Sequence, residues 1–270
     1  MATSWENPTR PVESASGLGG EAAAAMGLKG WVFLTEIVAG LGAVLTVVRS
    51  DFGWALGFGS FLALAALLSR ALSLKNPGPF PYSLRWVLLL PRITDSPEHL
   101  RQLLEPRSGE HVLEIGPGIG MHALRIAPCL LPGGKLDVPD VQKEMLDHLT
   151  RRAVKAGITN IVPTQCDARN LPYPDNSFDA AYLIGVLGEI PARRLALREL
   201  KRVLRQNGRL VVGEVFFDPD FVSLAVLQAE AGQAGFVFER SLGPRLYYLA
   251  CFRASPAQSR AGTVVQPQPS

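Results

Sequence analysis

A short apolar run at residues 111–115 (HVLEI) ends in Gly116-Pro117-Gly118-Ile119-Gly120, and a helical pattern follows over 121–130. Few folds accommodate that order. A strand that turns through glycines into a helix brings main chain close to a ligand, because glycine has no Cβ and adopts positive φ readily. The turn alone does not choose the ligand, since a glycine turn of this kind also serves dinucleotide enzymes. Two details separate the cases. Glu114 stands just ahead of the first glycine, and Met121 occupies the position where the dinucleotide pattern GxGxxG needs its last glycine.

Downstream, strands and helices alternate. Residues 135–141 read as a second strand ending at Asp140, where a carboxylate can accept both hydroxyls of a ribose. Pro139 inside that run removes a ladder donor. Asp140 can equally be read as the N-cap of a helix beginning near Gln142. Residues 161–168 (IVPTQCDA) carry the third strand and Asp167, whose carboxylate can accept the exocyclic amine of adenine. The Pro, Asn and Ser residues that follow make a turn. A fourth strand over 180–184 leads to Gly185, then a helix over 191–205 has Pro191 in its first turn. Gly208 closes that region, and a fifth strand covers 210–216. Two further strands, 236–240 and 246–252, are separated by the hairpin turn Gly243-Pro244.

Residues from about 96 to 253 resemble a class I S-adenosylmethionine-dependent methyltransferase of the UbiE-like, type 11 group. The resemblance is carried by VLEIGPGIG at 112–120, the acid at 140, CDARNLPYPDNSFDAAYL at 166–183 and LRELKRVLRQNGRLVVGE at 197–214, in the family's order and spacing. It implies an α/β fold, a Rossmann-like seven-stranded sheet with helices on both faces and its last strand antiparallel. It also implies S-adenosyl-L-methionine as cofactor. Glu114, Gly116, Pro117, Gly118 and Gly120 would then surround the methionine part. Asp140, with Val141 beside it, would hold the ribose. Cys166, Asp167 and Ala168 would meet the adenine edge, and Ile184 and Gly185 would border the transferring methyl. Pro139 departs from the aliphatic residue usual in the second strand.

No catalytic residue stands out. Methyl transfer from a sulfonium is an in-line displacement, for which the protein chiefly aligns the reactants and excludes water. A general base is needed only where the acceptor has a proton to lose. His122, Glu189 and Glu214 are the candidates, with Glu214 at the end of strand five. The aromatic segment 216–221 lies at the same strand end, near the expected acceptor pocket.

The chain ahead of this domain is different. Charged residues make up only 19% of the sequence, below the roughly one quarter usual in a soluble domain, and the shortfall is concentrated in residues 27–72. Two apolar runs lie there, 31–48 with Glu36 as its one acid and 52–68 without a charge, separated by Arg49, Ser50 and Asp51. A helix crossing the roughly 30 Å hydrocarbon core needs about 20 apolar residues, which each run approaches once flanking residues are included. Gly40, Gly42 and Ala43 in one run and Gly57, Gly59, Ala63 and Ala65 in the other would let two antiparallel helices approach closely. Trp31 and Trp54 suit the interfacial belt. The expectation is an α-helical membrane hairpin, spanning the bilayer or dipping into one leaflet, with buried soluble helices as the alternative. Lys29, Arg70, Lys75 and Arg85 flank the pair, against Arg49 in the turn, which assigns both termini and the catalytic domain to the cytoplasmic side.

The expected organisation is therefore a disordered tail at 1–26, the hairpin at 27–72, a linker and juxtamembrane segment at 73–95, the methyltransferase domain at 96–254 and a second tail at 255–270. Expected partners are the lipid bilayer and a lipid or other hydrophobic acceptor. A net charge of +3 with dispersed basic residues argues against nucleic acid. Cys129, Cys166 and Cys251 form no CxxC pair, which argues against a metal and a disulfide framework. The competing readings are a methyltransferase for a soluble small molecule or protein that the hairpin merely locates, and a non-catalytic cofactor-binding membrane scaffold. A nicotinamide oxidoreductase leaves the 166–183 block unexplained.

Overall fold

The computed structural model describes residue 64 and residues 66–73, 75–89, 97–216 and 218–255. The chain divides into two units, Met1–Leu72 and Ser73–Ser270. In the first unit the described residues, 64 and 66–72, are helical. Leu64, Leu67 and Leu68 are more than half exposed there, and their i, i+3, i+4 spacing aligns them on one helical face. The rest of the expected hairpin lies outside the described residues, as do the expected tail over 1–26 and all but Ser255 of the expected tail over 255–270. Among the described residues no helix is long and apolar enough to cross a membrane.

The second unit opens with a proline-bearing segment and the 3-10 helix Tyr82–Leu89. Then follow α1 (Pro97–Leu104), β1 (His111–Glu114), α2 (Ala123–Ile126), β2 (Lys135–Asp140), α3 (Lys143–Lys155), β3 (Ile161–Gln165) and β4 (Phe178–Ile184). The chain continues through α4 (Arg193–Val203), β5 (Leu204–Val215), α5 (Leu224–Gln233), β6 (Phe236–Leu242) and β7 (Tyr247–Ala254). The strands form one seven-stranded sheet in the order β3-β2-β1-β4-β5-β7-β6. Pairs among β1 to β5 are parallel, and β7 runs antiparallel to both neighbours. The chain steps outward from β1 to β3 and returns on the other side to β4. The carboxyl ends of β1 and β4 therefore diverge, and such a switch point is where open α/β sheets bind ligands.

Side-chain alternation along the strands builds a core on each face of the sheet. Leu113, Ala181, Leu183, Leu210 and Val212 pack on one side with Leu197 and Leu200 of α4 and Leu227 of α5. Val112, Leu136, Ala180, Tyr182 and Val211 pack on the other with Leu100 and Leu103 of α1, Ile126 of α2 and Leu149 of α3. Each fully buried leucine contributes about 1.5–3 kcal/mol. Two ion pairs, each with one buried partner (Arg209 and Glu230), tie the layers. Arg209 of β5 donates through Nε to the Leu104 carbonyl at 2.7 Å and pairs with Glu110. Glu230 of α5 receives Arg193 of α4 at 2.7 Å and 3.1 Å.

Several boundaries differ from the sequence expectation for physical reasons. The helix expected over 121–130 is the short α2 followed by a 3-10 turn, Ala127–Leu130; Pro128 has no N–H with which to continue the ladder. α4 begins at Arg193, because Ala192 adopts a left-handed conformation at φ 52°. β5 begins at Leu204, ahead of the expected 210. Phe178 pairs with Leu204 and Ala180 with Arg209, so residues 205–208 bulge from the ladder, and Gly208 lies within the strand instead of before it. Pro139 proves harmless: the β1–β2 register ends at Leu113 opposite Asp137, and the Pro139 carbonyl accepts the Gly116 N–H at 3.0 Å.

Candidate active site

Hydrogen bonds knit the strand ends together at the switch point. Glu114 at the end of β1 is buried, and its Oε2 accepts the Tyr182 hydroxyl of β4 at 2.7 Å. Burial, reinforced by the Glu114 charge, holds that phenol far above its ordinary pKa, so it stays a donor. Gly116 turns at φ 63°, and a Cβ there would lie 2.7 Å from Cγ1 of Val186. Any side chain would prise the loop away from the segment after β4. Gly118 turns at φ 53° and directs its N–H at the Asp140 carboxyl. Pro117 lies between them, and its carbonyl accepts the Gly120 N–H at 2.8 Å.

Asp140 is therefore the anchor of the glycine loop. Its carboxyl also accepts the Gln142 N–H at 2.9 Å and the Val141 N–H. Burial pushes it up to about 6 even though these three N–H groups pull the other way. The N-cap of α3 is Gln142, not Asp140, whose oxygens turn inward to the loop. Val141 is 46% exposed although apolar, a bare surface beside the carboxylate.

The third strand end joins the same cluster. Cys166 N–H donates to the Asp140 carbonyl at 3.1 Å, and Gln165 Nε2 donates to the Val141 carbonyl at 3.2 Å. Asp167 is clasped by Arg169, with Nη2 at 2.6 Å and the backbone N–H at 2.8 Å. That guanidinium holds its carboxyl below the usual carboxylate range. Ala168 is buried. Burial, then the charges of Asp167 and Asp140, push the Cys166 thiol up to about 11, so it is neutral. Across the crevice, Ile184 ends β4 and Gly185 N–H donates to the Gly213 carbonyl at 2.8 Å. Asp218 Oδ2 lies 3.8 Å from where a Gly185 Cβ would stand.

The sequence-expected residues thus share one end of the sheet. The donor set fits an adenosyl cofactor: a half-buried carboxylate for vicinal hydroxyls, an exposed aliphatic surface for a flat ring and a glycine loop that admits close approach.

Known proteins share the sequence pattern and the fold. Residues 113–212 match a family model described as a methyltransferase domain. A ubiquinone/menaquinone biosynthesis C-methyltransferase UbiE from Cellvibrio japonicus is 38% identical over 109 residues, 40% of this chain and 44% of that one. A 27-O-demethylrifamycin SV methyltransferase from Amycolatopsis mediterranei is 34% identical over 144 residues, 52% of this chain and 49% of that one. The chain spans about half the length of the curated relatives it matches. Among solved structures, a SAM dependent methyltransferase from Aquifex aeolicus shares the fold at a TM-score of 0.59 and 22% identity, covering 64% of this chain and 98% of that one. Residues 113–212 are thus a methyltransferase domain.

Beyond Gly213, Glu214 at the end of β5 is buried, and its Oε2 accepts the Val222 N–H at 3.1 Å. Its Oε1 has no partner among the described residues. Burial, with Asp218 and Asp220 adding to it, pushes Glu214 up to about 8. The rings of Phe216, Phe221 and Tyr248 form an edge-to-face chain beside it, with centroids 5.7 Å and 6.2 Å apart. Phe216 and Leu246 are about half exposed and joined by a backbone hydrogen bond of 2.7 Å. His122 is buried just before α2.

Three contributors escaped the sequence reading. Tyr182 carried a signal, a hydroxyl in an otherwise apolar strand. Arg169 carried a weaker one, a cation two residues beyond Asp167. Phe80 carried none, yet its N–H donates to Glu189 Oε2 at 3.0 Å and its carbonyl accepts Gln142 Nε2 at 2.9 Å.

Proposed function

We propose that this chain is a membrane-held enzyme that moves a methyl group from S-adenosyl-L-methionine to a lipid or other hydrophobic acceptor, with its catalytic domain facing the cytoplasm. The observation that carries this reading is the apolar rim of Phe216 and Leu246, exposed at the end of β5 beside the Gly185 edge of the cofactor crevice. A water-soluble acceptor gives no reason for exposed aromatic and aliphatic surface there. The apolar runs at 31–48 and 52–68 and the exposed face of Leu64, Leu67 and Leu68 support a bilayer as the second partner. A domain held at a bilayer meets membrane-dissolved acceptors at high local concentration.

When bound, the cofactor supplies an electrophilic methyl on a sulfonium. The chain's own residues supply alignment. Asp140 and Asp167 would hold the nucleoside, and Glu114 and the glycine loop the amino-acid end. Gly185, without a Cβ, would leave the transfer path clear. Glu214, pushed up to about 8, would in its protonated form add no charge to that of Asp218 and Asp220 on the acceptor side. The rim would exclude water once an apolar acceptor is seated.

The rifamycin relative favours a second reading, a methyltransferase for a soluble small molecule that the N-terminal segment merely locates. One experiment separates the two and also tests for a non-catalytic scaffold. Full-length protein is incubated with membrane extract, cytosolic extract and isotopically labelled donor, and the products are read by mass spectrometry. Label in an organic-phase acceptor is the expected result. Label confined to water-soluble products would establish the second reading, and bound donor without turnover would establish the scaffold.

A further inference from the structure

The segment ahead of the sheet crosses the cofactor crevice as a strap. Phe80 is clamped from both sides, its N–H by Glu189 after β4 at 3.0 Å and its carbonyl by Gln142 after β2 at 2.9 Å. Farther along, Leu88 Cδ1 lies 3.4 Å from where a Gly118 Cβ would stand. Tyr82 meets His148 of α3 edge-on at 6.4 Å, and the Arg85 guanidinium lies 4.4 Å over the Tyr82 ring. The strap thus touches the glycine loop, the start of α3 and the turn after β4, all of which border the crevice. A ligand held at the switch point lies beneath it.

Glu189 is an unusual clamp. It ends the 3-10 turn Leu187–Glu189, and the groups that act on it are acids. Asp218 sits against Gly185, and the Asp220 backbone abuts Gly188 so tightly that no Cβ fits there. Asp140 stands across the crevice. Burial and these three carboxylates oppose ionisation of Glu189, whereas the Phe80 N–H favours it. Gln142, which clamps the other side of Phe80, carries no charge. A cation arriving among four carboxyl groups stabilises the ionised form of Glu189, and an ionised carboxylate accepts a stronger hydrogen bond than a neutral acid.

Resting on the cofactor reading above, we propose that Glu189 distinguishes the charged donor from the neutral product. It grips Phe80 more firmly over a bound sulfonium and loosens that grip once methyl transfer has left a thioether. The strap then closes on S-adenosylmethionine and releases S-adenosylhomocysteine, which gives product exit a physical cause.

The test uses full-length protein and calorimetric titrations of both ligands at pH 7.5 in buffers of differing ionisation enthalpy. The donor is expected to bind at least fivefold more tightly than the product and to expel a larger fraction of a proton. In Glu189→Gln, whose amide oxygen still accepts the Phe80 N–H, product affinity should stay within about twofold. The donor preference and the extra proton release should both vanish. Hydrogen exchange of the peptide containing Phe80 gives a readout on the unaltered protein, with slower exchange expected under donor than under product. Equal proton release for the two ligands, or exchange slowed equally by both, would overturn the inference while leaving the cofactor reading intact. A donor preference that survives in Glu189→Gln would do the same. Failure of both ligands to bind would remove the cofactor reading and this inference with it.

Discussion

Replacing Asp140 with Asn probes the crevice at its most connected point. The amide keeps the size of the carboxyl and one acceptor oxygen, which can still receive the Gly118 or Gln142 N–H. It cannot also take two ribose hydroxyls as a carboxylate does. A hydrogen bond to a charged group is worth about 1.5–3 kcal/mol, so losing one, with the charge behind the other, weakens binding by about 2–3 kcal/mol, or roughly 30- to 150-fold. The product shows this loss directly, because it carries the same ribose without the sulfonium charge. A pH series sharpens the expectation. The wild-type carboxyl is pushed up to about 6 in the cofactor-free protein, and only its ionised form accepts both hydroxyls. Affinity should be flat above pH 7 and fall about tenfold between pH 7 and pH 5, and Asp140→Asn should lack that fall. The effect on stability has the opposite sense. An acid whose folded pKa is raised leaves the fold most stable below its unfolded value of about 3.9 and progressively less so up to about 6. Asp140→Asn removes that slope, so lost affinity cannot be blamed on a fold that weakens as pH rises. Calorimetry with S-adenosylhomocysteine reads the affinities. An Asp140→Asn protein that binds within twofold of wild type, or that keeps the acid-side fall, would refute the role of Asp140.

Gly116→Ala combines a strained positive φ with a Cβ 2.7 Å from Val186. It should weaken cofactor binding at least tenfold and lower Tm, as read by titration and calorimetric melting. Arg193→Ala leaves Glu230 buried with only the longer 3.3 Å contact to Arg194, and chemical denaturation should show a loss of about 3 kcal/mol, the scale of a broken buried ion pair. Glu214→Gln retains the acceptor for the Val222 N–H. Because wild-type Glu214 is pushed up to about 8, its contribution to stability is full below about pH 4.3 and lost as pH rises to 8. The variant should therefore gain on wild type across that window in pH-dependent melts.

Where the backbone chemistry was local, the sequence was readable. HVLEI followed by three glycines fixed the first strand and its turn, and the apolar run at 180–184 located the strand beside it, which begins two residues earlier, at Phe178. Asp140 and Asp167 were recognisable as acids at strand ends, because a carboxylate there is costly without a purpose. What escaped depended on tertiary partners. The bulge at 205–208 arises from pairing with β4, which no local signal near Asn207 and Gly208 reveals. α5 went unread because Leu224, Ala225, Val226 and Leu227 make a continuous apolar run, not a 3.6-residue stripe. Asp140 could be seen as important, but its grip on the Gly118 N–H requires the loop to fold back upon it. The clamp on Phe80 joins residues 109 positions apart and leaves no mark in a stretch that reads only as proline-rich linker.

A crystal structure with S-adenosylhomocysteine tests the central claim most directly. One nucleoside is expected, with its ribose hydroxyls on Asp140, its adenine over Val141 with an edge at Asp167 and Ala168, and its amino-acid end against Gly116 to Gly120. A nucleoside bound elsewhere, or a crevice that stays empty at millimolar ligand, would contradict it.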